Sequence, residues 1–168
     1  VAGARAGREL TSGSYNTFLG NYAGCSNTTG SHNVFMGVYA GNNIQTAGYN
    51  IAIGAEALKG STTPGDNTGT SNVALGYQAG YAYTNALSSI FIGNRAGCAV
   101  TSGDYNIIMG CGTARTLTTG SCNIFIGKDS GPINATSTGS LNITMQREAG
   151  ERLTSGDRNI LIGEETGR

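Results

Sequence analysis

The sequence predicts an all-β protein, a parallel β-solenoid (a β-roll or β-helix) made of 17-residue coils. Three observations lead to this prediction. A five-residue motif recurs nine times at nearly constant spacing, the composition disfavours helices, and the apolar residues alternate within each motif. Together they indicate one continuous repeat array over residues 1–168, which we interpret as a segment of a longer fibre.

The repeated motif reads Asn, an aliphatic residue, a variable residue, an aliphatic residue and Gly in most copies. The first copy is Asn16-Thr-Phe-Leu-Gly20 and the last is Asn159-Ile-Leu-Ile-Gly163. Successive copies begin 17, 17, 22, 17, 17, 17, 19 and 17 residues apart. The unit is therefore 17 residues long, with one insertion of five residues and one of two.

The composition excludes several other classes of protein. Glycine accounts for 28 of the 168 residues, and Gly, Ser, Thr and Asn, which form helices poorly, make up close to half of the chain. Ten basic and ten acidic residues cancel, so no net field favours binding to nucleic acid. No run of 18 apolar residues occurs, so we expect no membrane insertion.

Each motif predicts a short strand, because its aliphatic residues occupy the first and third positions and so lie on one face. The middle position is also mostly apolar, with Phe18, Phe35, Phe91 and Phe125 in four copies. Since one unit cannot bury its own core, successive coils are expected to stack and pair their backbones. The Phe row is expected at an interface between chains.

The Asn that opens most motifs recurs at one phase of the repeat. We predict that these residues form a ladder of side-chain amides along the stack, with a structural rather than a ligand-binding role. The predicted ladder consists of Asn16, Asn33, Asn50, Asn72, Asn106, Asn123, Asn142 and Asn159.

Two copies, Asn50-Ile-Ala-Ile-Gly-Ala-Glu-Ala57 and Asn72-Val-Ala-Leu-Gly-Tyr-Gln-Ala79, resemble the head repeats of trimeric autotransporter adhesins. The fuller pattern T-[ST]-G-x-x-N-φ-F-φ-G-x-x-A-G is similar to the repeats in shafts of phage and large-virus tail fibres. The resemblance implies three β-roll chains wound side by side, and binding to host surfaces. A second apolar face gives an independent reason for a trimer, because exposed apolar patches mark interfaces.

Motifs for catalysis, metal binding or cofactor binding are not found in the sequence. His32 is the single histidine and has no nucleophile elbow beside it. The cysteines, Cys25, Cys98, Cys111 and Cys122, form no C-x-x-C pair and are read as reduced wall residues, with a link between chains left open. We therefore expect no enzymatic activity and no cofactor.

If the chain is a receptor-binding fibre, the contacts are expected where the repeat is interrupted, at residues 59–70 and 132–138, because loops on a rigid scaffold commonly carry binding. The alternative is ordinary variation in loop length, with Tyr side chains packed between coils. The candidate contacts are Lys59, Asp66, Tyr77, Tyr81 and Tyr83. A further alternative is ice binding by a row of threonines, formed by Thr11, Thr28, Thr46, Thr101, Thr118 and Thr154.

The pattern as a whole favours a structural fibre, a stiff trimeric shaft for attachment at an extracellular, cell-surface or virion surface. Its expected partners are copies of itself, as a homotrimer or an end-to-end polymer, and a host-surface receptor or glycan. The alternatives are an adhesin head that itself contacts a host surface, and a self-assembling extracellular filament.

Overall fold

The computed structural model describes residues 1–63 and 65–168 and confirms the predicted parallel β-solenoid. Nine parallel three-residue strands form one sheet in chain order. Within these two ranges no helix is present, and so none is long and apolar enough to cross a membrane. The strands are β1 (Thr17–Leu19), β2 (Val34–Met36), β3 (Ile51–Ile53), β4 (Val73–Leu75), β5 (Ile90–Ile92), β6 (Ile107–Met109), β7 (Ile124–Ile126), β8 (Ile143–Met145) and β9 (Ile160–Ile162).

Each strand pairs in register with the equivalent strand one coil later. Val34 pairs with Ile51 across a 17-residue coil, and Ile51 pairs with Val73 across the coil that carries the longer insertion. Both insertions therefore bulge out without shifting the register. With nine strands about 4.8 Å apart, the sheet is about 38 Å long.

The middle residue of each strand faces the interior of its own coil. Phe18, Phe35, Phe91 and Phe125 are at most 1% exposed, and the rings of Phe18 and Phe35 stack with centroids 5.2 Å apart. The expectation that the Phe row lies at an interface between chains is therefore wrong. The reason is strand parity: the middle residue and the buried motif Asn point inward together, so the aliphatic positions point outward.

Coils that lack a Phe fill the interior in another way. In β3 and β4 the middle residues are Ala52 and Ala74, which leave room beside the neighbouring rings. Leu58 occupies a phase that most other coils give to Gly, and it is fully buried. Its Cδ2 lies 2.8 Å from where a Cβ would stand on Gly80, so Leu58 takes the space next to that corner. Dense packing is thus kept despite the smaller strand residues.

The corners of the coil use left-handed backbone. Gly37 has φ +135°, and a Cβ there would lie 2.6 Å from the carbonyl oxygen of Gly54 on the next coil, so only Gly fits. The residue before each motif Asn or Ser is also left-handed, although it is never Gly. Its φ lies between 49° and 62° in all nine coils, as at Tyr15, Tyr49 and Tyr105. Such a conformation costs about 1–2 kcal/mol per residue, which the stacking of coils must offset.

Candidate functional site

The outward face of the sheet, which we call the aliphatic face, is the candidate functional surface. It consists of the first and third residues of β1 to β9, of which Thr17 alone is not aliphatic or Met. These side chains are half-buried or exposed, and Leu19, Ile53, Ile160 and Ile162 are the most open. The face carries no charge along its whole length.

Two exposed rows border the aliphatic face. The leading edge is the residue before each motif Asn or Ser, and the trailing edge is the residue two positions after each strand. Tyr49 and Tyr105 on the leading edge are 63% and 59% exposed, and Tyr77 on the trailing edge is 47% exposed. On the leading edge the rings of Tyr15, His32 and Tyr49 stack with centroids 4.8 Å apart. The surface thus extends beyond the strands into two partly aromatic borders.

The motif Asn residues lie in one buried column, but they bond the backbone more than each other. The Oδ1 of Asn106 accepts the N–H of Asn123 at 3.0 Å, and its Nδ2 donates to the carbonyl of Gly120 at 2.8 Å. The same pair of bonds recurs along the column, and Ser89 supplies both from its hydroxyl. Motif Asn residues therefore clamp the coil that follows them. The predicted amide-to-amide contacts are also present at three steps, as where the Nδ2 of Asn123 donates to the Oδ1 of Asn106 at 3.1 Å.

The five-residue insertion is tied to the coils next to it. Asn67 is buried, its Oδ1 accepts the N–H of Ser61 at 2.8 Å, and its Nδ2 donates to the carbonyl of Asn43 at 3.0 Å. Pro64, within the insertion, lies outside the described residues. The insertion is thus held at its base by a side chain that sequence reasoning did not single out.

Lys59 is occupied by contacts inside the chain. Its Nζ donates to Glu56 at 2.8 Å and lies 5.3 Å from the ring centroids of both Tyr39 and Tyr81. The bond from Lys59, followed by one from Gln78, lowers the pKa of Glu56, and the bond to Glu56 raises the pKa of Lys59. The predicted contacts Lys59 and Tyr81 therefore stabilise the base of the insertion.

The other three predicted receptor contacts have different surroundings. Tyr83 is fully buried, and its hydroxyl donates to the carbonyl of Gly69. Its prediction as an exposed contact is wrong, because Tyr83 shares its phase with the core residues Val100 and Leu117. Burial raises the pKa of the Tyr83 phenol. Asp66 and Tyr77 are exposed, on the insertion and on the trailing edge respectively.

Most hydroxyl groups of the threonine row already donate hydrogen bonds within the protein. The hydroxyl of Thr11 donates to the carbonyl of Thr28 at 3.0 Å, and that of Thr118 donates to the carbonyl of Ser137 at 3.0 Å. Thr46 is not in the row, because Gln45 supplies the equivalent carbonyl. These hydroxyl hydrogens bond to the next coil and are not free to match an ice lattice.

Residues 1–63 and 65–168 contain no pocket and no cluster of three metal-ligating side chains. No family model, no curated protein and no solved structure matches this chain at a significant level. The aliphatic face with its two edges is therefore the surface from which a function can be argued.

Proposed function

We propose that this chain is a stiff structural shaft in which three parallel copies pack side by side through their aliphatic faces. The observation that carries the proposal is an uncharged aliphatic surface that crosses all nine strands. At about 38 Å by about 10 Å, it covers on the order of 400 Å². The largest apolar patch on a typical monomer is about 300–600 Å² and often has a function, so the size of this face is compatible with an interface.

The area also indicates that the strands alone are not the whole contact. A stable interface buries about 800 Å² on each partner, roughly twice the aliphatic face. The exposed rows at the leading and trailing edges can supply the remainder. A strip only three residues wide suits a threefold axis, because three such strips close around it and leave no apolar face open.

Stiffness follows from bonding that continues from coil to coil. Backbone bonds such as Ile107 N–H to the carbonyl of Asn123, at 2.8 Å, join each strand to the next, and the Asn column adds two buried bonds per coil. Because each repeat is tied to its neighbours over the whole length, bending the rod would break many bonds at once. The role supported is therefore mechanical: spacing and display at a surface.

The experiment is to place a charge on the aliphatic face and to measure the mass of the assembly. Ile107→Glu would bring three carboxylates together at the axis, so we expect the mass to fall from that of a trimer to 17.1 kDa. Thr119→Glu, at an exposed corner away from the face, is the matched control and should remain trimeric. Circular dichroism should show the same sheet in both variants. A trimeric Ile107→Glu protein would contradict the proposal.

Attachment to a receptor is the second candidate function, favoured by the exposed Asp66 and Tyr77. Asp66 lies in the insertion that interrupts the repeat. Tyr77 is an aromatic side chain on the trailing edge of the aliphatic face. Binding to glycans or cells that is lost in Asp66→Ala, but kept in the corner variant Thr119→Ala, would support it. Equal binding by both variants would exclude a role for Asp66.

A further inference from the structure

Two free cysteines lie on opposite borders of the aliphatic face. Cys111 belongs to the trailing edge, two residues after β6, and Cys122 belongs to the leading edge, two residues before β7. Both are exposed, whereas Cys25 is buried and Cys98 is half-buried. Because the whole width of the face separates Cys111 from Cys122, they cannot bond within one chain.

In a trimer whose threefold axis is parallel to the solenoid, Cys122 of one copy can come close to Cys111 of the next. Rotation about the axis brings the leading edge of one copy against the trailing edge of the next, since a cyclic contact joins two different surfaces. Rotation leaves heights along the axis unchanged. Cys122 and Cys111 are 11 residues apart in a 17-residue coil and belong to adjacent coils, so their heights differ by about 3–5 Å. A disulfide needs its Cα atoms about 4.4–6.8 Å apart, which leaves room for a short lateral step.

We propose that leading and trailing edges of neighbouring copies meet, and that Cys122 of one copy forms a disulfide with Cys111 of the next. This inference rests on the trimeric assembly proposed above. With oxidised glutathione as oxidant, the Cys122 thiolate attacks a glutathione sulfur and releases one glutathione thiolate. The Cys111 thiolate of the next copy then attacks the Cys122 sulfur and releases the second glutathione. Both thiol protons go to solvent, and three such bonds close a covalent ring.

The test begins with the absolute mass of the reduced protein and continues with oxidation by glutathione disulfide and a non-reducing denaturing gel. We expect a trimeric mass and a covalent trimer band that dithiothreitol removes. Cys111→Ser and Cys122→Ser should each lose all covalent bands, whereas Cys98→Ser, the matched control, should keep the trimer. Co-expressed Cys111→Ser and Cys122→Ser chains should regain a covalent dimer, because each mixed trimer retains one complete pair.

The contrary results distinguish failure of the edge contact from failure of the trimeric assembly. A trimeric mass without a covalent band overturns the edge contact and leaves the proposed function standing. A covalent dimer that persists in Cys111→Ser indicates a Cys122–Cys122 bond across a twofold axis and overturns the parallel arrangement. A monomeric mass overturns the assembly itself, and the edge contact with it.

Discussion

Replacement of Asn106 by Ala tests the clamp that joins one coil to the next. Asn106 is fully buried, accepts the N–H of Asn123 at 3.0 Å and donates to the carbonyl of Gly120 at 2.8 Å. Alanine leaves both backbone groups buried and unpaired. Since each such group costs about 1–3 kcal/mol, we expect the variant to lose about 2–6 kcal/mol of unfolding free energy.

Asn106→Ser is the matched control, because the protein already uses Ser at this phase. The hydroxyl of Ser89 accepts the N–H of Asn106 at 3.0 Å and reaches the carbonyl of Gly103 at 3.4 Å. We therefore expect Asn106→Ser to lose less than half as much stability as Asn106→Ala.

Urea unfolding measures the loss of stability in Asn106→Ala, and hydrogen exchange with mass spectrometry shows which coils lose protection. Protection should fall most at the amide of residue 123 and at its neighbours in β7, and least in β1 and β9, because each coil is coupled mainly to the coils beside it. If Asn106→Ala keeps wild-type protection at residue 123, the clamp contributes nothing and the reasoning is refuted.

Three further outcomes follow from individual contacts. Asn27 is fully buried, and neither of its amide atoms has a hydrogen-bond partner in the described part of the chain. Asn27→Val should therefore raise the free energy of unfolding by about 1–2 kcal/mol, seen as a higher urea midpoint. A lower midpoint would show that the amide is satisfied. The bond from Lys59 lowers the pKa of Glu56, so its contribution is complete above the unfolded value of about 4.3 and is lost as pH falls through the folded value. Thermal melts below pH 5 should therefore depend less on pH in Glu56→Gln, and parallel curves would contradict this. Gly37→Ala forces a Cβ to within 2.6 Å of the Gly54 carbonyl oxygen at φ +135° and should cost about 1–3 kcal/mol, whereas unchanged stability in a thermal melt would show that the corner relaxes.

The fold could be predicted from the sequence because the repeat specifies register directly. Equivalent residues 17 apart must pair if the coils stack, and both insertions fall between strands, where they can bulge out. The left-handed residues before each motif Asn could not be predicted, since Tyr, His, Cys and Leu at that position give no local sign of positive φ. Stacking imposes that conformation against the preference of the residues.

The orientation of the strand could not be decided from apolar residues alone, because both faces are mostly apolar. The burial of Asn142 and its neighbours in the column decides it, since Asn and the middle strand residue share parity. Polarity suggests an outward Asn, but the backbone bonds of the next coil make the interior favourable for it. Tyr83 could have been placed in the core by its phase, which it shares with Val100 and Leu117.

The central claim is that the aliphatic face is covered by two further copies of the chain. Light scattering after size exclusion gives the absolute mass of the purified protein and tests this most directly. We expect a single species of about 51 kDa, three times the chain mass of 17.1 kDa. A stable species of 17.1 kDa would contradict it, because the aliphatic face would then remain open to water.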